Sequence, residues 1–264
     1  MPALRSPVLR QRIFEARFDG GYRYLDRCGD AMIILLDLLP GLTKVAWLPG
    51  EVAPKGARLI CPALDITVVF DTYRLIVDQM PVGNVDCDFA EIASNALSTL
   101  KGRFDLRRML RFGARRIKVI PTESVEEADR LSAKLAAPCP WELPATDSYE
   151  LSEVSQTYVW ETSDRSKGVR VSTSSYNKLG ADFRVDERLK GPPHLLPEGQ
   201  HEALIEQLRR RKLAEKDPES GVALDIDYYW VGPSADARVS EFLDLAGKTA
   251  DSLEADVVGA RRKS

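Results

Sequence analysis

Gly221-Val-Ala-Leu-Asp-Ile-Asp-Tyr-Tyr-Trp230 alternates without a break, with Val222, Leu224, Ile226, Tyr228 and Trp230 on one side and Ala223, Asp225, Asp227 and Tyr229 on the other. A period of two is the signature of a strand with one face buried and the other in water. Two earlier segments have the same character, Arg10-Gln-Arg-Ile-Phe-Glu-Ala-Arg-Phe-Asp19 and Arg115-Arg-Ile-Lys-Val-Ile-Pro-Thr122, and each of the three runs into a helix-like stretch. They are spaced by about 105 residues, which points to an internally repeated strand-helix unit.

Working outward, Val8 to Phe18 reads as a strand closed by Gly20-Gly21, and a buried helix follows over about 24–39, stopped by Pro40-Gly41. Strand-like runs come at 43–47, 66–70 and 73–80. A helix then starts after Asp88, whose carboxylate suits an N-cap, with Glu91 three residues on as in a capping box. Its apolar stripe is Phe89, Ile92, Ala93, Ala96, Leu97, Leu100 and Phe104, and Gly113 is expected to end it near Phe112. From Ala114 the order repeats: a strand through Ile117 and Val119, and a helix from about Glu123 with an acidic first turn. A proline-rich connector follows at 138–146, strand-like runs at 154–162, 168–176 and 181–187, a break at Gly191-Pro-Pro, and a helix over about 197–214. After the final strand, a last helix capped at Ser234 turns Val239, Phe242, Leu243, Ala246, Ala250, Leu253 and Val257 inward.

The order is therefore β-α-β-β-β-α twice, then β-α. The fold class that satisfies it is α+β: two similar units with mostly antiparallel sheets, each covered on one face by helices. The units divide into 1–112 and 113–264, the second carrying the terminal β-α, either as separate bodies or intertwined as one compact domain.

Composition narrows the functional classes. Apolar residues at 44% and charged residues at 29% are ordinary for a globular chain, so neither disorder nor a fibrous class is indicated. A net charge of −3 excludes a long-range basic field for nucleic acid and leaves only local patches. Cys28, Cys61, Cys87 and Cys139 show no Cys-x-x-Cys pair, and the two histidines, His194 and His201, are the only places for an imidazole base. Buried free thiols and no cofactor are expected. The first residues lack an apolar core, and the longest apolar run, 31–36, is far short of the roughly 20 residues of a membrane span, so the expectation is a cytoplasmic protein. Gly-x-Gly-x-x-Gly, phosphate-loop and nucleophile-elbow motifs are lacking, and no catalytic set emerges.

Two features remain as candidate sites. Asp225 and Asp227 lie two apart on a strand, so both side chains share a face and are able to hold a divalent metal for phosphotransfer or phosphoester hydrolysis. The Gly-Ser turn that precedes such a pair in nucleotidyltransferases is missing. The second feature is a basic segment in which Lys101, Arg103, Arg107, Arg108, Arg111, Arg115, Arg116 and Lys118 face a single acid, Asp105. Arg209, Arg210 and Arg211, with Lys212, stand at the matching place in the second unit. Cations are expected at a helix C-terminus, but this density exceeds what capping needs, and arginine suits bidentate phosphate contacts.

The segments Arg111-Phe-Gly-Ala-Arg-Arg-Ile117 and Leu224-Asp-Ile-Asp227 resemble landmarks of a sporadically distributed bacterial family of uncharacterised proteins of about this length. The resemblance implies an accessory bacterial protein and assigns no functional residue. The leading expectation is a non-enzymatic binding or interaction protein that meets a partner protein, or nucleic acid or phosphate through its arginines. The alternative is a metal-dependent enzyme acting through Asp225 and Asp227.

Overall fold

The structure, a computed structural model, describes residues 6–54, 56–80, 87–135, 155–178, 219–234 and 237–259. Within them the chain runs β1 (Val8–Asp19), α1 (Tyr24–Thr43), β2 (Leu48–Ala53), β3 (Gly56–Cys61), β4 (Ile66–Phe70), β5 (Arg74–Gln79) and α2 (Phe89–Phe104). It continues with β6 (Arg108–Thr122), α3 (Val125–Leu135), β7 (Ser155–Glu161), β8 (Lys167–Lys178), β9 (Glu219–Val231) and α4 (Val239–Gly259). The connector at 138–146, the strand at 181–187, the helix at 197–214, His194, His201, Cys139 and the Arg209–Arg211 cluster lie outside the described residues.

The α+β class holds, with antiparallel strands and helices packed on them. The expectation of two sheets is corrected: the strands form one nine-stranded sheet in the order β2-β3-β4-β5-β1-β6-β9-β8-β7. The three alternating segments are what join it, because β1, β6 and β9 lie side by side at its centre. The boundary at 112/113 falls inside β6, which pairs continuously with β9 from Arg111–Val231 to Thr122–Ser220.

The strand order is arranged about the β1/β6 pair. Reading outward from the β1/β6 pair, the first unit places β5, β4 and β3 beside β1, and the second places β9, β8 and β7 beside β6. β9 and α4 thus stand where β5 and α2 stand in the first unit. β1 and β6 pair antiparallel, so the two halves of the sheet extend from strands that run in opposite directions.

Local chemistry explains the element ends. Asp88 caps α2 by accepting the Glu91 N–H at 2.8 Å, as its sequence position predicts. That helix stops at Phe104 and not near Phe112, because Asp105 turns left-handed (φ 54°) and the next residues begin β6. Met109 and Phe112 are then buried as strand residues. α1 runs through Pro40 to Thr43, since proline in a last turn forfeits one backbone bond while Tyr24, Ala31, Met32, Leu35 and Leu39 anchor the helix. Residues 43–47 end that helix and link it to β2. Two strands went unread in the sequence, β2 and β3; the buried Ala57, Leu59 and Cys61 of β3 are too short and too small a stripe to stand out. α4 starts at Val239, later than a Ser234 cap implies.

The main apolar cluster runs from β1 and α1 through β6 to Phe242 of α4, and a smaller one gathers Val171, Leu224, Ile226 and Ala250. Phe14 of β1, Phe112 of β6 and Phe242 of α4 form a triangle of edge-on rings with centroids 5.5–6.2 Å apart. Tyr228 and Trp230 of β9 pack on Phe242 at 5.6 and 5.2 Å. Leu131 of α3 packs with Ile120 and Val222 in a third, separate cluster. No helix of the described residues is long and apolar enough to cross a membrane.

Candidate interaction face

Strand parity fixes what the other side of the sheet shows. Val222, Leu224 and Ile226 are buried towards the helices, so Asp225, Asp227 and Tyr229 point the opposite way. Among the described residues, no helix covers that face. Register then aligns its side chains into rows across the strands. One row reads Asp78, Ile13, Arg115, Asp227, Arg170 and Val159, from β5 to β7. The next reads Ile76, Glu15, Gly113, Tyr229, Gly168 and Glu161.

The two glycines of the second row make room for large neighbours. A Cβ on Gly113 would meet the Arg111 guanidinium at 3.1 Å, so that group folds flat over residue 113. It donates to Glu15 at 2.8 Å and to Asp227 at 2.7 Å, and stands 5.3 Å over the Tyr229 ring. A Cβ on Gly168 would lie 2.4 Å from the Tyr229 ring, which covers that position and donates its hydroxyl to Glu161 at 2.7 Å. Aromatic cover of a strand glycine restores contacts that the missing side chain leaves open.

Arg115 forks onto Asp225 with contacts of 2.8 and 2.5 Å, and this bonding holds its pKa above the ordinary value. Burial raises the Asp227 carboxyl above the usual range, against the pull of Arg111 and Arg115. The Glu161 bond, reinforced by burial, raises the Tyr229 phenol. These groups line a shallow trough of about 710 Å³ that includes Glu15, Arg17, Arg111, Arg170, Asp227 and Tyr229. A hollow of about 270 Å³ adjoins it, walled by Arg115, Thr157, Arg170, Ser172, Asp225 and Asp227.

The basic segment of the sequence does not form one patch. Arg111 and Arg115 lie on the open face, whereas Arg116 and Lys118 point to the helices and pair with Asp251 (2.5 Å) and Glu254 of α4. Arg108 stands 3.8 Å from Asp19, Arg103 is in the last turn of α2, and Arg107 lies against Gly20 in the link to β6. Asp225 and Asp227 share a face as their spacing requires, but each carboxylate is engaged by a guanidinium. Among the described residues, no group of three or more His, Cys, Asp or Glu side chains is placed to hold a metal ion.

Sequence reasoning missed Arg170 and Glu15. Both were readable from parity: Arg170 alternates with Gly168 and Ser172, and Glu15 with Ile13 and Arg17. Their significance comes only from register, which sets Arg170 directly opposite Asp227. No protein-family model matches the chain, and no curated protein matches it either.

Proposed function

We propose that this chain is a bacterial cytoplasmic binding or interaction protein that meets a partner protein on the open face of its sheet, with Arg115, Arg170 and Tyr229 at the centre of contact. The observation that carries this reading is the row Arg115–Asp227–Arg170 beside the Tyr229 ring: opposite charges held in fixed register around a half-buried aromatic. Mixed charges of set spacing favour one complementary surface and disfavour others. Tyrosine and arginine are the residues around which interface energy concentrates. Arg170 has no ion-pair partner among the described residues, so a partner carboxylate gains a cation without displacing one from its mate.

Nucleic acid is less well served. Arg108, Arg111, Arg115, Arg116 and Lys118 each face a carboxylate and stand on two sides of the sheet, so a phosphate backbone spanning them competes with several ion pairs at once. The bacterial assignment leans on the resemblance at 111–117 and 224–227. The free thiols of Cys28, Cys61 and Cys87 support a reducing compartment.

Affinity capture from the native host with the wild-type chain should recover one partner in stoichiometric amount. Arg170→Glu or Tyr229→Ala should lose it, while Lys248→Ala, on the helix side, keeps it. A partner kept by both open-face variants, or repeated recovery of none, counts against the reading. A gel shift at about 50 mM salt that fades as salt rises favours the nucleic-acid version instead.

A further inference from the structure

We propose that a second site, on the helix-covered side where the two units meet, binds a small organic anion through Arg12 and Arg116. It is a groove of about 720 Å³ between the start of α2 and the middle of α4, within the size range of small-molecule sites. The groove lies on the opposite side of the sheet from the open face.

The floor of the groove comes from the strands at the junction. Arg12 of β1 and Arg116 of β6 are direct partners in register, so two guanidinium side chains leave the sheet at facing positions on the same side. Like charges directly opposite are destabilising unless an anion offsets them. Arg116 has one, Asp251 at 2.5 Å. Arg12 has none among the described residues: it donates to the Gln79 side-chain oxygen, to the Cys87 carbonyl and to the Cys87 thiol (3.2 Å), and lies 4.6 Å over the Phe89 ring. All of these partners are neutral. They hold the guanidinium in position in a half-buried place with no carboxylate on it among the described residues, and there a cation interacts strongly with an incoming anion. The carboxylates in the lining are engaged elsewhere, Asp88 by the Glu91 amide and Asp244 by Lys248.

The walls call for an apolar body on that anion. Ala114, Ile226, Leu243, Ala246 and Ala250 line the space. At Gly247 a Cβ would meet only the Arg116 guanidinium, at 3.5 Å. A carboxylate or phosphate head on the two arginines, with a small ring or short chain against α4, matches both parts. Head and body are separable, which makes the assignment testable.

Cys87 lines the groove, and Cys28 on α1 is outside it, so alkylation by iodoacetamide read by mass spectrometry reports occupancy at one thiol with the other as reference. Millimolar phenyl phosphate should slow labelling of Cys87 about tenfold, as occupancy of the folded state requires, and leave Cys28 unchanged. Benzyl alcohol, which has the body without the charge, should not protect. Arg12→Met should abolish protection, and so should Gly247→Leu, which fills the groove from a helix position and leaves both arginines in place. Protection by inorganic phosphate equal to that by phenyl phosphate overturns the organic-anion assignment. Absence of protection by either probe, or protection that survives Gly247→Leu, overturns the site.

Discussion

A methyl group added at position 168 would sit 2.4 Å from the Tyr229 ring, so even alanine there forces the ring to lift from the strand. Lifting it breaks the hydrogen bond to Glu161 and the stacking with Arg111. Gly168→Ala should therefore cost about 1–2 kcal/mol in urea denaturation, and close to nothing once Tyr229 is already alanine, a coupling that a double-mutant cycle reads directly. Arg111 and Asp227 behave unequally although they share a bond. Removing the guanidinium takes the hydrogen-bonded partner from half-buried Asp227 and leaves Glu15 with Arg17 alone, and Arg111→Met should cost about 1–3 kcal/mol. Asp227→Asn should cost less, because burial already disfavours its charge and raises its pKa. The sign with pH follows: the folded chain keeps that proton where the unfolded chain has lost it, so this group's contribution falls as pH rises from the ordinary 3.8 through the raised value. Stability of Asp227→Asn relative to wild type should accordingly improve across that interval, as measured by urea midpoints on either side of it.

At the scale of elements, helix ends offer the cleanest tests. Asp88→Ala removes the cap that takes the Glu91 amide and should lower stability by about 1 kcal/mol, read by thermal or urea unfolding. Lys44 follows the last turn of α1 in the left-handed region (φ 58°), a conformation that costs an ordinary residue about 1–2 kcal/mol. Lys44→Gly should raise stability by up to about 1 kcal/mol, the gain reduced by loss of the Nζ bond to the Gly41 carbonyl. The start of α2 was legible in the sequence, since a cap and a seven-residue stripe with period 3.6 agree. Its end was not. Residues 105–112 carry cations at 107, 108 and 111, which suit a helix or a strand equally, and the turn is made by Asp105 without a glycine to announce it. Pro40 misled in the opposite sense, because a breaker in a last turn loses little when the rest of the helix is anchored in the core.

For the whole molecule, the aromatic triangle of Phe14, Phe112 and Phe242 ties strands of both units to one helix. Phe242→Ala opens a cavity at that junction and should cost about 3–5 kcal/mol. The loss should appear as one shifted transition, with amide exchange in β4 and in β8 accelerating together. Two separated transitions would instead mark units that fold apart. The same junction explains why the charged residues of β6 divide as they do. A strand at the middle of a sheet presents alternate side chains to the helices and to the open face, so a run that reads as one basic cluster along the chain becomes two sets on opposite sides.

The alternation at 221–230 and the cap and stripe of α2 were legible in the sequence alone, because each rests on backbone periodicity and on local hydrogen bonding. They gave the α+β class and put Asp225, Asp227 and Tyr229 together on the face away from the helices. What only tertiary structure decided is which strands lie side by side and in what register, since pairing between segments about 100 residues apart leaves no local mark. That pairing joined the expected pair of sheets into one, set Arg115 and Arg170 on either side of Asp227, and brought Arg12 opposite Arg116 beneath α4.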